Sequence, residues 1–237
     1  MDNAEFFDIN ADAYESNKLY PHDDIFINFI KKSDMKTSLF LDVGGGSGFF
    51  AKLLKDELPF MDITIVDPST ELIAKINDPS INTKIGSLPN NIGMPDSSFD
   101  YIHIRMVIHH LVGNTIGESQ LQLKESLRCI RHLLKDGGYL FLHDYYYESF
   151  ISPSLARNMI FYILKLQKAL KIKIPTKYFV RDLSVCFYTR VEFRSILAEC
   201  GFEICEIHEE FISNNNIKFR LLLLNKFGSI AIIAKRV

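Results

Sequence analysis

The sequence predicts an α/β fold organised around a parallel sheet, and two apolar runs with a glycine loop between them carry the prediction. Residues 39–43 are apolar apart from Asp42, as in a buried strand that helices cover on both faces. Glycines follow, and apolar residues then recur at helical spacing from Phe49 to Leu58. Residues 61–66 form a second apolar, β-branched run. Strand, glycine loop and helix in this order predict a cradle for a small molecule.

The spacing of the glycines distinguishes between kinds of cradle. Gly44, Gly46 and Gly48 give G-x-G-x-G, whereas a dinucleotide fingerprint needs G-x-G-x-x-G, and position 49 is phenylalanine. No lysine follows the loop as it would in a phosphate-binding P-loop. The pattern therefore argues against a nicotinamide-dependent dehydrogenase and against a P-loop enzyme.

The second apolar run ends at Asp67, nineteen residues after Gly48. A carboxylate at the carboxyl end of a second strand can accept hydrogen bonds from both hydroxyls of a ribose. An aspartate here can also cap the helix that we expect to start near Ser69, and the two roles are compatible. Asp67 therefore supports a nucleoside ligand without choosing among nucleoside cofactors.

The segment LDVGGGSG, residues 41–48, resembles motif I of the class I S-adenosylmethionine-dependent methyltransferases. The resemblance implies a Rossmann-like fold with a seven-stranded, mostly parallel sheet whose last strand is antiparallel. It also implies that S-adenosylmethionine is the cofactor and S-adenosylhomocysteine the product. Motif I residues would then hold the amino acid part of the cofactor, and residues at the ends of the next two strands would hold its nucleoside. These expected cofactor-binding positions are Asp42, Gly44, Gly46, Gly48, Asp67, Pro68, Ser87 and Leu88.

The third strand, expected at residues 82–85, leads to a departure from the family pattern. Ser87 stands where the family usually has an aspartate that contacts the adenine amino group. Serine still offers an acceptor, but it carries no charge and reaches less far. Leu88 follows at the position that covers the adenine ring in the family. Between the second and third strands we expect a helix over residues 70–77.

Residues 95–111, PDSSFDYIHIRMVIHHL, resemble the family's fourth strand and the segment after it. Arg105 closes the strand, at the edge where open α/β sheets bind ligands, and its backbone is expected to border the cofactor. His109 and His110 are candidate bases because imidazole titrates near neutral pH. The family commonly carries this dipeptide without using it as the base, so a structural role is the alternative reading.

A long amphipathic helix is expected over residues 118–134, with the following glycines as its C-cap, and a fifth strand over residues 139–142. The stretch LLKDGGYLFL resembles the family's L-K-P-G-G-x-L motif, with Asp136 in place of the proline. His143 lies just past the fifth strand, and we interpret it as the best-placed catalytic base, with Asp144 as its orienting partner. The alternative is that His143 only hydrogen-bonds a loop.

Two segments are expected to cover the site. Residues 1–35 contain an amphipathic stretch and a helix over residues 22–32, and resemble the family's N-terminal lid, in which Tyr14 would face the cationic sulfonium. Tyr14 can equally well pack its helix on the domain. Residues 148–188 form a helical cap insertion between strands five and six, with a helix from about residue 152 to 172. Its aromatic residues favour an organic substrate pocket, and its scattered lysines are interpreted as a solvated face.

The C-terminal part completes the predicted sheet. Thr189 and Glu192 form a capping-box pattern at the start of a helix that ends at Gly201. Residues 201–211 and 228–237 are expected to be strands six and seven. The sequence leaves open whether residues 217–227 form a strand or a helix.

Composition and charge restrict the function. The chain has 237 residues, of which 47% are hydrophobic and 24% charged, and this fits a single domain spanning residues 1–237. The net charge of −2 argues against a nucleic-acid partner. The four cysteines show no metal-binding spacing and favour a reduced, cytoplasmic setting, and no metal is expected. No run is long enough to cross a membrane, so no membrane partner is expected. A monomer and a homodimer both remain open.

The sequence therefore predicts an enzyme that transfers a methyl group from S-adenosylmethionine to an oxygen or nitrogen atom of a small organic molecule. A methyltransferase acting on RNA or protein is an alternative, and so is a module that binds the cofactor without catalysis. The sequence does not identify the acceptor or the methylated atom.

Overall fold

The structure is a computed structural model that describes residues 3–9, 11, 20, 22–33, 38–89, 92–170, 184–212 and 223–237. Tyr14, the expected lid tyrosine, lies outside these residues, so its predicted contact with the cofactor stays a prediction.

The described residues form one seven-stranded sheet in the order β3-β2-β1-β4-β5-β7-β6. β7 runs antiparallel to both of its neighbours, whereas the other described pairings are parallel. This confirms the predicted Rossmann-like sheet with an antiparallel last strand. The strands are β1 Ser38–Val43, β2 Met61–Asp67, β3 Ile81–Ile85, β4 Phe99–Arg105, β5 Leu134–Ser149, β6 Phe202–Phe211 and β7 Leu224–Arg236.

Helices connect these strands. A 3₁₀ turn, Ile108–His110, follows β4. The α-helices of the described ranges are α1 Asn3–Ile9, α2 Asp23–Lys31, α3 Phe49–Glu57, α4 Thr70–Ile73, α5 Ile116–Leu133, α6 Leu155–Ala169 and α7 Arg190–Glu199.

Two apolar layers hold the helices on the sheet. On one face, which we call the α2 face, α2 and α3 pack on alternate strand residues, and the rings of Phe26 and Phe141 stack with centroids 5.0 Å apart. On the other face, the α5 face, α5 and α7 pack on the residues in between, including Leu140 and Leu142 of β5. Strand residues alternate between faces, so neighbours along β5 enter different layers.

β5 is much longer than the four residues expected from its apolar core. It pairs antiparallel with β7 from Tyr139↔Lys235 to Ser149↔Leu224, so the tyrosine-rich segment is strand rather than loop. The same pairing resolves the question left open by the sequence for residues 224–227, which belong to β7.

Several predicted helix boundaries differ from the observed ones. α4 stops at Ile73 because Lys75 and Ile76 donate to carbonyls three residues back, which tightens the turn. α5 ends at Leu133 with Leu134 as its C-cap, and the glycines that we expected to cap it lie within β5. α6 ends at Ala169, short of residue 172.

The predicted capping box of α7 is confirmed. Thr189 Oγ1 accepts from the Glu192 backbone N–H at 3.2 Å, and the Glu192 carboxylate accepts from the Thr189 N–H at 2.9 Å. The next residue, Arg190, donates from Nε and Nη2 to the two carboxylate oxygens of Glu148, at 3.0 and 2.7 Å. This bidentate pair ties α7 to the far end of β5.

We expect Gly228→Ala to lower the free energy of unfolding by about 1–3 kcal/mol. An added Cβ at Gly228 would overlap the backbone carbonyl oxygen of Glu210 in β6, and backbone in a paired strand cannot move aside cheaply. Urea unfolding measures the effect. Gly117→Ala is the matched control, because its added Cβ would have 3.9 Å to its nearest neighbour, Thr115 Oγ1. Equal stability of the two variants would contradict the close approach of β6 and β7.

Candidate functional site

The glycine loop after β1 adopts a backbone that L side chains rarely adopt. Gly44, Gly46 and Gly48 have φ angles of 72°, 55° and 80°. An added Cβ at Gly44 would clash with Cγ2 of Val107, which follows β4, so the ends of β1 and β4 approach closely. Gly48 then serves as the N-cap of α3. The loop therefore brings bare backbone to the carboxyl edge of the sheet.

Asp42 lies on the α2 face below this loop and is almost completely buried. Its Oδ1 bonds to Nδ1 of His103 at 2.9 Å, across the β1–β4 pairing. Its Oδ2 is buried and has no hydrogen-bond partner within the part of the chain that the structure describes. The ideal Cβ position on Gly45 would lie 2.7 Å from Oδ2, so only a glycine fits above this carboxylate.

Asp67 is held by the backbone at the end of β2. Its Oδ2 accepts from the Gly46 N–H and its Oδ1 accepts from the Ser69 N–H, both at 2.9 Å. Burial raises the pKa of Asp67, and the two N–H groups oppose that shift. Ser69, rather than Asp67, caps α4, because Ser69 Oγ accepts from the Leu72 N–H at 3.1 Å. Each Asp67 oxygen retains the capacity to accept a further hydrogen bond.

α1 reaches across the carboxyl edge of the sheet. Asp8 Oδ1 accepts from Ser69 Oγ at 2.6 Å and from the Glu71 N–H at 3.3 Å, beside the end of β2. One residue earlier, the ring of Phe7 meets that of His110 edge-on, with centroids 5.2 Å apart, beyond the end of β4. α1 therefore contacts both sides of the crevice between these strands.

Arg105 is the last residue of β4, as expected, and its guanidinium is hydrogen-bonded to a carboxylate. Nη1 donates to both carboxylate oxygens of Asp23, the first residue of α2, at 3.0 and 3.3 Å. The guanidinium carbon lies 5.0 Å from the ring centroid of Tyr20 and 5.6 Å from that of Phe50. The Arg105 side chain thus holds the start of α2 against α3, the helix that follows the glycine loop.

His109 and Asp144 form a hydrogen-bonded pair on the α5 face. His109 Nδ1 lies 2.7 Å from Asp144 Oδ1, and the His109 backbone N–H donates to Oδ2 at 3.1 Å. Asp144 also accepts from the Tyr145 N–H at 2.6 Å. In the tautomer in which Nδ1 donates to the carboxylate, the neutral ring presents a lone pair at Nε2. This arrangement is that of an oriented general base.

His143 does not pair with Asp144, because neighbouring residues of a strand point to opposite faces. Its ring is completely buried on the α2 face, edge-on to His22 at 4.8 Å and to Tyr20 at 5.4 Å between centroids. Neither ring nitrogen has a hydrogen-bond partner within the described residues. Burial, helped by His22, His103 and Arg105, lowers the pKa of His143 to about 2. The expectation that Asp144 orients His143 is therefore wrong.

The remaining predicted residues lie around the same edge. The Gly86 N–H donates to the Asp67 carbonyl at 3.2 Å, which brings the end of β3 beside that of β2. Ser87 is exposed there, Leu88 is buried, and Pro68 is half-buried. His110 is half-buried, and desolvation together with His109 lowers its pKa well below the ordinary value. In the described ranges no group of three or more histidine, cysteine or acidic side chains could hold a metal ion.

Sequence reasoning missed the partners of these residues. Asp8, Asp23 and His103 could not be recognised from the sequence, because no local motif marks any of them as a site residue. The pairing of His109 with Asp144 also carries no local signal, because His109 lies in the 3₁₀ turn after β4 and Asp144 lies in β5.

The geometry can be compared with known proteins. A family model described as a methyltransferase domain matches residues 24–207. None of the curated protein sequences compared with this chain matches it. Many solved structures are similar to it at low sequence identity.

Three of these structures illustrate the likeness. A structure described as an S-adenosylmethionine-dependent methyltransferase from Methanosarcina mazei has a TM-score of 0.64 at 18% identity, covering 93% of this chain and 99% of that one. A protein described as a methyltransferase, in complex with the Trm112 activator from Haloferax volcanii, has a TM-score of 0.64 at 14% identity, with coverages of 98% and 96%. Phosphoethanolamine N-methyltransferase 2 from Haemonchus contortus, in complex with S-adenosyl-L-methionine, has a TM-score of 0.64 at 15% identity, with coverages of 99% and 58%.

We expect His143 to make the protein acid-sensitive. Its pKa is lowered to about 2 in the folded chain, whereas an unfolded histidine titrates near 6.5. The unfolded state therefore binds a proton that the folded state does not, and stability falls by about 1.4 kcal/mol per pH unit as pH drops below about 6. His143→Phe keeps the ring contacts and should remove this component of the slope.

Urea unfolding of wild type and His143→Phe at pH 7.5 and pH 5 measures the difference. His208→Phe is the control, because His208 is exposed and bonded to Glu206. Parallel pH dependences for wild type and His143→Phe would show that His143 accepts a proton in the folded state.

Proposed function

This chain belongs to the class I S-adenosylmethionine-dependent methyltransferases, and we propose that it methylates an oxygen or nitrogen atom of a small organic molecule. S-adenosylmethionine is its cofactor. The observation that carries the proposal is the His109–Asp144 pair at the carboxyl edge of β4 and β5. An oxygen or nitrogen acceptor must lose a proton as it is methylated, and this pair supplies an oriented base.

The residues at the carboxyl edge fit the cofactor. Asp42 Oδ2 is a buried acceptor in need of a donor, and the amino group of the cofactor is such a donor. The glycine loop is open at Gly46, where an added Cβ would lie 3.8 Å from its nearest neighbour, Leu72. We infer that Asp42, Gly44, Gly46 and Gly48 hold the amino acid part of the cofactor.

The nucleoside part of the cofactor is assigned to the ends of β2 and β3. We infer that Asp67 and Pro68 hold the ribose, and that Ser87 and Leu88 border the adenine. The two N–H bonds that fix the Asp67 carboxylate support this role, because an oriented acceptor loses little entropy on binding. Tyr14 is retained as a proposed contact of the sulfonium.

Arg105 is assigned a different role from the rest of this set. Its guanidinium is bonded to Asp23, so we infer that its backbone borders the cofactor while its side chain holds α2 in place. A buried pair of this kind positions neighbouring groups more than it stabilises the fold.

When bound, S-adenosylmethionine supplies an electrophilic methyl group. The chain's own contribution is to align the acceptor, exclude water and remove a proton. Asp144 keeps the proton of His109 on Nδ1, and Nε2 takes the proton from the acceptor hydroxyl or ammonium group. His109 is therefore the proposed base. His143, which is buried and has no hydrogen-bond partner among the described residues, is assigned to the packing of the α2 face.

The surroundings of His109 favour an organic acceptor. The rings of His109 and Phe187 stack with centroids 5.5 Å apart, and the ring of Tyr147 lies 4.3 Å from that of Phe187. α6 packs on the same aromatic layer. An aromatic wall suits a small organic molecule better than a phosphate backbone. We propose that residues 148–188 act as the substrate cap and residues 1–35 as the lid.

A macromolecular acceptor is the second candidate. The Haloferax methyltransferase of similar fold is bound to an activator protein, which is the observation that favours it. Incubation with methyl-labelled cofactor and separate panels of small amines, phenols, acids, RNA and proteins discriminates between the candidates. Label transfer to RNA or protein alone would overturn the small-molecule proposal, and no transfer to any acceptor would favour a non-catalytic binding module.

We expect Asp67→Ala to weaken S-adenosylhomocysteine binding by about ten- to a hundredfold, because hydrogen bonds to a charged group are lost. Isothermal titration calorimetry measures the dissociation constant. Asp62→Ala is the matched control, since Asp62 is an exposed aspartate on the same strand. Unchanged affinity in Asp67→Ala would remove Asp67 from the ribose site.

We expect His109→Asn to lower kcat by about 10²- to 10⁴-fold, the usual contribution of a general base. Asparagine can still donate to Asp144 but offers no basic nitrogen. Binding of S-adenosylhomocysteine should change less than twofold. His132→Asn, an exposed histidine on α5, should retain full turnover. A His109→Asn enzyme with wild-type kcat would exclude His109 as the base.

A further inference from the structure

His103 is a buried histidine to which the proposed reaction gives no role. It lies in β4, and its side chain is completely buried. Its Nδ1 lies 2.9 Å from Asp42 Oδ1, and its Nε2 is buried with no hydrogen-bond partner among the described residues. Burying a polar nitrogen without a partner is unfavourable, so packing alone does not account for a histidine at this position.

The contact with His103 determines where the second oxygen of Asp42 lies. Asp42 and His103 are partners in the parallel β1–β4 register, so both side chains enter the α2 face. With Oδ1 against the imidazole, Oδ2 lies on the other side of the carboxylate carbon. It is found beneath the glycine loop, 2.7 Å from the position that a Cβ on Gly45 would occupy. The oxygen without a partner is therefore the one next to the cofactor loop.

The imidazole is itself held in place by aromatic rings. The ring of Phe50, in the first turn of α3, lies 4.1 Å from that of His103 between centroids. The ring of Phe26, in α2, meets it edge-on at 5.4 Å. A ring packed on several sides in a dense core keeps a single rotamer. His103 is therefore rigid enough to fix the rotation of the carboxylate that it contacts.

The charge beside Asp42 Oδ2 favours a cationic ligand. Burial is the main cause that raises the pKa of Asp67, and the nearby charge of Asp42 raises it as well. Two carboxylates thus act on each other at the ends of β1 and β2, and Asp42 Oδ2 has no hydrogen-bond partner within the described ranges. A primary ammonium group brings both a donor and a positive charge to this place.

We propose that His103 is a positioning residue for the cofactor: it donates from Nδ1 to Asp42 Oδ1 and so holds Oδ2 where the α-amino group of S-adenosylmethionine binds. The proposal rests on the cofactor site proposed above. An acceptor whose direction is fixed before binding loses little entropy when its ligand arrives. Without the bond to His103, the carboxylate can rotate and Oδ2 no longer stays beneath the loop.

This arrangement makes the site selective for the amino group. A buried acceptor that is prepared for a donor disfavours a ligand that lacks one, because the acceptor then stays unpaired. His103 therefore contributes to the discrimination between S-adenosylmethionine and adenine nucleosides without an amino acid part.

The test compares two ligands by isothermal titration calorimetry. One is S-adenosylhomocysteine, and the other is its deamino analogue, in which hydrogen replaces the α-amino group. Wild type should bind S-adenosylhomocysteine at least about tenfold more tightly than the analogue. His103→Phe should bind S-adenosylhomocysteine about tenfold more weakly than wild type but the analogue within about twofold of wild type. His103→Asn, whose amide can still donate to Asp42, should keep most of the wild-type preference.

His143→Phe is the matched control, because His143 is a buried histidine on the same face with no hydrogen bond to Asp42. It should keep the wild-type preference, and circular dichroism shows whether each variant is folded. An unchanged preference in His103→Phe would overturn the proposal, and so would an equal loss of affinity for both ligands. A wild type that binds both ligands equally would overturn it but leave the cofactor assignment in place, whereas one that binds neither would remove both.

A measurement on the wild-type chain keeps the test valid if His103→Phe does not fold. Long-range ¹H–¹⁵N correlation spectra show which ring nitrogen of a histidine carries the proton. The signal that disappears in His103→Asn belongs to His103. We expect its Nδ1 to be protonated with S-adenosylhomocysteine bound. An Nδ1 without a proton could not donate to Asp42 and would overturn the proposal.

Discussion

The alternation of side chains along β5 separates two polar environments at one edge of the sheet. His143 enters the layer under α2 and finds rings and a guanidinium, whereas Asp144 enters the layer under α5 and finds a histidine. A shift of one residue in the β4–β5 register would exchange these environments and leave a carboxylate among aromatic rings. The long pairing of β5 with β7 holds that register on the other side.

Buried carboxylates mark the carboxyl ends of β1 and β2 and the middle of β5. Each accepts from different donors: one oxygen of Asp42 from a histidine, Asp67 from two backbone N–H groups, and Asp144 from both kinds of donor. A buried carboxylate is stable only where its hydrogen-bond donors are held in place. The glycine loop and the 3₁₀ turn after β4 therefore have a second role besides leaving room for a ligand. They supply the donors that keep charge at this edge.

The order of elements followed from sequence patterns because it depends on periodicity and on turn chemistry, as in the glycine loop and the Thr189–Glu192 capping box. The extent of β5 did not follow, because it depends on β7, which begins 75 residues after β5 ends. The site residues were likewise predictable only in part. Residues of the local motif at positions 42–48 could be located, but the partners of Arg105, His109 and Asp67 come from distant segments. The contact of Asp8 with Ser69 could not be predicted, because no sequence pattern indicates that α1 lies beside the end of β2.

The position of β7 bears on how the chain folds during synthesis. β7 is the last of the described strands in chain order, yet it lies between β5 and β6 rather than at an edge. β6 therefore cannot join the sheet until β7 has been made, and β5 keeps an unpaired edge for as long as translation of that last segment takes. Its tyrosine-rich backbone is then open to pairing with other chains, so the nascent chain is most prone to aggregation in the interval before β7 is made.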